Sequence, residues 1–143
     1  MDVEERHLVE HDCAKLNNRY ALLNDAGEWD QLAALYTEDG RFSRPTAPDD
    51  FIVGRENILA SFKARPPRKS RHVIANIVVD AEGPATARAF SVIVLYQGEA
   101  AEDGALPKMT ANSPFVGYFE DLIVNTPDGW RFQERKGGLD FAP

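Results

Sequence analysis

Sulfur is scarce in this chain: it holds one cysteine, Cys13, and two methionines. A lone cysteine excludes an intrachain disulfide and points to a reducing compartment. Basic charge is short as well, with 16 Lys and Arg against 23 Asp and Glu and a formal charge of −7. Nucleic acid is therefore not an expected partner, because neutralising phosphates takes a basic surface. Long apolar runs are absent too. The stretch from Val92 to Tyr96, about five residues, falls far below the roughly 20 that a helix needs to cross a bilayer, so no membrane association is expected. The opening MDVEERH is acidic and lacks the apolar centre of a secretory leader, which leaves a cytoplasmic protein as the expectation. No G-x-G-x-x-G, P-loop or C-x-x-C occurs, so dinucleotide, nucleotide and thiol-redox roles have no support.

What remains is ordinary globular material. The chain has 143 residues, 43% of them apolar, which fits one domain over 1–143 with its own core. Val9, Cys13, Leu16, Tyr20 and Leu23 recur at helical spacing and form one apolar stripe, which Gly27 ends. EWDQLAALYT predicts a shorter helix with Trp29, Leu32, Ala33 and Tyr36 on one side, and EDG at 38–40 reads as a turn into RFSRP. A brief extended FIV at 51–53 follows, then a third helix in GRENILASFKAR with Ile58, Leu59 and Phe62 inward. PPRKS stops that helix, since proline cannot continue it.

Beyond that point the apolar period changes from helical to two. Strands are predicted at about 71–80, 85–97, 114–125 and 130–136, with hairpins at EG (82–83) and TPDG (126–129). The polar GEAAEDGALPKMTANS between the second and third of these is long enough for a lid or a subunit contact. Helices followed by a meander of long antiparallel strands make an α+β arrangement. SVIVLY and FVGYF are apolar on both faces, so one face is expected on the helices and the other at a pocket or a second subunit.

The stretch RHVIANIVVD carries the chemistry. Alternation places His72, Ile74, Asn76 and Val78 on one face, an imidazole and a carboxamide among core residues. A histidine acting as base needs an acceptor that fixes its tautomer, and Asp25, at the end of the first helix, is the candidate; it also suits a plain helix end. Tyr20, Tyr96 and Tyr118 offer phenols to a leaving hydroxyl or a developing enolate, and Asn76 an amide to a ligand carbonyl or phenol. His7 and His11 stand at i, i+4 with no third ligand in view, so a solvated helix face is the simpler reading and no metal is expected. Lys63, Arg65, Arg68, Lys69 and Arg71 form a basic cluster, read as a solvated loop or as a contact for an anionic substrate or a subunit. Cys13 lies mid-stripe and reads as a small core residue.

Together, NDAGEW at a helix end, the H-x-x-x-N strand and the closing GYFEDLIVNTPDGWRFQER resemble the SnoaL-like group of the nuclear transport factor 2-like superfamily. The resemblance implies a cone-shaped α+β barrel, with N-terminal helices packed on a strongly curved, mostly antiparallel sheet. It also implies a cofactor-independent lyase using an Asp–His base, as in scytalone dehydratase, lindane dehydrochlorinase and bile acid 7α-dehydratase. Asp25 and His72 match that pair, Tyr20 matches a tyrosine of the bile acid enzyme, and Arg135 matches its substrate-facing arginine. Unlike scytalone dehydratase, this chain has no second histidine in the strand at 85–97, and Asn24 stands where that enzyme has a tyrosine before the aspartate. The expected ligand is a small hydrophobic or aromatic molecule of polyketide, steroid or aryl type, and the expected assembly a homo-oligomer, a trimer before a dimer. An isomerase or cyclase, or an accessory subunit like the small subunit of ring-hydroxylating dioxygenases, would share the scaffold.

Overall fold

The computed structural model describes residues 1–142. Its first helix, α1 (Val3–Ala26), starts earlier than the apolar stripe because Asp2 and Glu5 close a reciprocal capping box, and Gly27 ends it at φ 70°. Val9, Cys13, Leu16 and Tyr20 turn inward along it. The short α2 (Trp29–Ala33) ends before Tyr36, which instead opens a strand, β1 (Tyr36–Ser43). EDG does not turn the chain; it is absorbed as an irregularity of register between Tyr36 and Arg41. A two-residue strand, β2 (Ile52–Val53), and α3 (Arg55–Lys63) follow, with Ile58 and Phe62 buried.

The remaining strands are β3 (Lys69–Ala81), β4 (Thr86–Gly98), β5 (Phe115–Thr126) and β6 (Gly129–Leu139). They run antiparallel in sequence order, β1 adds to β6 in parallel, and the six-stranded order is β2-β1-β6-β5-β4-β3. The sheet is therefore mixed and open, with β3 on an edge. The expected α+β cone is present, with the helices filling the concave side.

Two bulges create the curvature. One lies in β6, where Leu122 pairs with Glu134 but Ile123 pairs with Phe132. The other lies in β3 between Ala75 and Val78 and centres on Asn76, whose φ is 51°. An extra residue in a strand reverses which face later side chains occupy. His72 and Ile74 accordingly point inward before the bulge, Ile77 and Val79 after it, and Val78 is 57% exposed. The face inferred from strict alternation holds for the first half of β3 and fails for the second.

Tyr20, Tyr36, Phe42, Phe119 and Phe132 make an aromatic core between α1 and the sheet. Inside it, Arg135 is fully buried with its guanidinium 4.0–4.5 Å from the ring centres of Tyr20, Phe119 and Phe132. No described helix is long and apolar enough to cross a membrane.

Candidate active site

Asp25 occupies the last turn of α1, where the partial negative charge of the helix end disfavours a carboxylate. Its partners on β3 offset that cost. Oδ2 accepts the backbone N–H of His72 at 2.9 Å, and Oδ1 accepts the Ser70 hydroxyl at 3.0 Å. The His72 Nδ1 lies 2.6 Å from Oδ1, and an Arg71 guanidinium nitrogen lies 3.7 Å from Oδ2. The backbone donor is available because β3 is an edge strand, and the helix end covers that edge. Desolvation of the nearly buried carboxyl would raise its pKa, but the hydrogen bonds and charge of His72, joined by Ser70, outweigh it and hold Asp25 below the usual carboxylate range.

A carboxylate so held can only accept, which makes Nδ1 of His72 the donor; in the neutral imidazole that tautomer leaves Nε2 with its lone pair. The two side chains are nearly buried, 8% exposed for His72 and 6% for Asp25. The imidazole lines a cavity of about 190 Å³ between the helices and the concave face. Asp25 is not in that lining. It backs the ring from behind.

Sheet residues Ile93, Leu95, Phe115 and Phe119 give the cavity an apolar wall, with Phe42 and Phe62 opposite. Polar groups are few: the Tyr20 phenol, the carboxamides of Asn24 and Gln97, and Thr46. Arg44, Arg65 and Arg68 complete one side. Such a site, apolar with a small number of directed polar groups, is the usual form of a small-molecule pocket. The Tyr20 hydroxyl is 2.8 Å from that of Tyr36, and burial pushes its pKa up to about 12, so the phenol is neutral. A hollow of about 260 Å³ elsewhere is larger, but it is bounded mainly by charged side chains such as Asp80, Arg88, Glu120, Glu134 and Lys136, with no imidazole.

The structure thus brings Asp25, His72 and Tyr20 to one place and puts the other four expected residues elsewhere. Asn76 is exposed, because its bulge takes it out of the alternation that begins at His72. Tyr96 is 38% exposed on the outer face; His72 pairs with Leu95, so the cavity-facing positions of β4 are Ile93, Leu95 and Gln97. Tyr118 also faces outward, stacked on Phe90 and packed over Gly138, where an added Cβ would lie 2.5 Å from its hydroxyl oxygen. Arg135 does not reach the cavity. It lies behind Tyr20 and Phe119, its Nε 3.0 Å from the Asp121 carboxylate and Nη2 bonded to Asn17.

The pocket is also on the same face as the helices, not on the opposite one. Asn24, Arg44 and Gln97 are site residues that sequence reasoning missed. Gln97 shares the parity of Leu95 and pairs with Ser70, opposite the strand that carries His72, a signal that alternation in β4 alone contains.

Across residues 5–136 the chain matches the model of the SnoaL-like domain family. Its fold is similar to that of a protein provisionally named a scytalone dehydratase from Novosphingobium aromaticivorans, 20% identical with a TM-score of 0.75, over 92% of this chain and 83% of that one. A protein from the same organism, provisionally named an aromatic ring hydroxylase, is 17% identical with a TM-score of 0.74, over 99% and 93% of the two chains. A provisionally named dehydratase of the NTF2-like family from Streptomyces avermitilis is 16% identical with a TM-score of 0.77, over 92% and 96%. Against curated protein sequences the chain has no significant match. With the family model covering most of its length and an open α+β cone beneath it, the chain belongs to the SnoaL-like domain family.

Proposed function

We propose that the chain is a cofactor-independent lyase of the dehydratase type, with His72 as general base on a small hydrophobic or aromatic substrate. The observation that carries this reading is the 2.6 Å contact between Nδ1 of His72 and Asp25, made behind a ring that lines the apolar cavity. It leaves Nε2 as the basic atom on the cavity side.

In the reaction, Nε2 takes a proton from a carbon next to a carbonyl. The C–H electrons pass into the enolate, and Asp25, a positioning residue, stabilises the imidazolium as it forms. The enolate electrons then form the C=C bond as the β C–O bond breaks. The leaving oxygen takes a proton from the imidazolium and departs as water, which restores neutral His72. The neutral Tyr20 phenol, in the cavity lining, would donate to the enolate oxygen, and the carboxamides of Asn24 and Gln97 in the same lining would be further donors. The apolar walls keep bulk water from competing for the proton. Isomerisation, cyclisation and retro-aldol cleavage would begin with the same proton transfer.

A second reading on the same scaffold is a non-catalytic accessory subunit. The exposed apolar outer face at Val73, Val78 and Phe90 would then meet a partner. The buried imidazole–carboxylate pair beside a cavity favours the enzyme.

Aryl-substituted β-hydroxy ketones test the proposal, because their dehydration to conjugated enones is read by ultraviolet absorbance. Turnover by the intact chain, lost in His72→Gln while its unfolding transition is retained, is the expected result. Equal turnover by His72→Gln would remove the base assignment.

A further inference from the structure

The cavity's charge is opposite to that of the chain. Overall the protein carries −7, yet Arg44, Arg65 and Arg68 line the cavity and, among the described residues, no carboxylate side chain does. Two segments supply them: Arg44 directly follows β1, and Arg65 and Arg68 both lie in the short connection between α3 and β3. Arg44 and Arg65 lie over the same ring, 5.4 and 5.6 Å from the centre of Phe62, and Arg65 also covers Trp29 at 5.3 Å.

Their remaining contacts are with neutral groups. Arg44 donates to the Ser61 carbonyl and hydroxyl at 3.4 Å, and Arg65 donates to the Asn24 carboxamide at 3.1 Å. Among the described residues none of the three forms an ion pair with a carboxylate. Among the described residues the carboxylate whose charge acts on both Arg65 and Arg68 is Asp25, and it is committed to His72 and Ser70. Burial, followed by the charges of Arg68 and Arg44, lowers Arg65 to about 10, as expected for guanidiniums gathered without a counter-ion. Proteins place partly buried like charges together where an anion is to be held, and guanidinium matches carboxylate geometry with paired donors.

From this arrangement we infer that the cavity selects a substrate carrying a carboxylate or similar anionic group, held by Arg44, Arg65 and Arg68 while the apolar body lies against the phenylalanine wall. The inference rests on the same cavity being the substrate site and narrows that substrate's class: an aromatic or alicyclic compound that also carries an acid group, taken in preference to its neutral analogue. A cavity near 190 Å³ admits a compound of one or two fused rings, since an engineered apolar cavity of about 150 Å³ takes up benzene. The acid head would sit at the guanidiniums and the reacting carbon beside His72.

Binding of 2-naphthoate and of its neutral isostere 2-naphthamide decides the matter, measured by calorimetry and located by changes in the His72 ring signals in NMR spectra. The intact chain is expected to bind the acid at least about tenfold more tightly than the amide, with the preference shrinking as salt is raised. Arg68→Gln, the most exposed of the three, should reduce the preference several-fold without altering the unfolding transition, and Arg68→Lys should restore part of it. Arg44→Gln should act in the same direction. His72→Gln should keep the preference, which separates binding from base catalysis. Equal binding of acid and amide, binding of neither, or a preference unchanged in both arginine variants would overturn the anion assignment while leaving the His72 turnover test to stand or fall by itself.

Discussion

The concave face of the sheet holds two acid–base pairs with opposite fates. At one end Asp25 meets His72 beside a cavity; at the other Asp121 meets Arg135 in a sealed aromatic core, each side chain fully buried. In the sealed pair the guanidinium also bonds to Asn17, is covered by three rings and lies outside the cavity lining, so no ligand there reaches it. Burial lifts the Asp121 carboxyl above its usual range against the pull of Arg135. In the open pair the hydrogen bonds win over desolvation, the carboxylate stays charged, and one imidazole nitrogen has no partner behind it. Charge at the interior of a fold is thus not in itself a sign of chemistry. The sign is a titratable group whose orienting contacts are complete on one side and which faces a cavity on the other.

The largest difference between the two ends should be in turnover. His72→Gln is expected to lose about 10²- to 10⁴-fold in rate, as for removal of a general base, with stability changed by no more than about 1 kcal/mol. Steady-state kinetics and urea unfolding on one preparation measure both. Arg135→Met should show the reverse pattern. It leaves a buried carboxylate without its cation and should cost about 3–5 kcal/mol in urea unfolding, most of it recovered when Asp121→Leu is added, while the rate per folded molecule changes little.

Asp25→Asn should be felt at both levels, and less strongly. Turnover is expected to fall by roughly tenfold or more, since the imidazole is no longer held in one tautomer. Its effect on stability should depend on pH. Asp25 keeps its charge to lower pH in the folded chain than in the unfolded one. Its contribution is therefore complete above the ordinary carboxylate range and is lost as pH falls below about 5, through that range and on through the lower value of the folded chain. Unfolding midpoints followed through that window should drop more steeply for the intact chain than for Asp25→Asn. The smallest effect on stability belongs to the link between the two ends: Tyr20→Phe removes the 2.8 Å bond to Tyr36 and should cost about 1 kcal/mol, read as a lowered urea midpoint.

Much of this arrangement is legible in the residues. The apolar stripe of α1, the stop at Gly27, the third helix and four long strands follow from period and punctuation. Asp25 and His72 came together from a family resemblance, since a span of 47 residues carries no local signal of contact. Asn76 was misplaced because a bulge is a change of phase that composition does not announce, and β1 was missed because E-D-G has turn chemistry even where a sheet absorbs it. Tyr96 and Tyr118 were misread for a simpler reason. Residue type suggested a role, while pairing of Leu95 with His72 and of Gly117 with Ile93 puts their neighbours, not them, in the cavity. Arg135 looked substrate-facing at the end of a strand, yet that stretch of β6 lies under the aromatic core.

Nitrogen-15 NMR of the His72 ring near neutral pH addresses the proton-acceptor assignment without any substrate. The expected spectrum has a protonated Nδ1, held by Asp25, and an unprotonated Nε2, with the preference for that tautomer weakened in Asp25→Asn. A neutral ring protonated at Nε2 in the intact chain would contradict it, since the atom facing the cavity would then have no lone pair with which to take a proton.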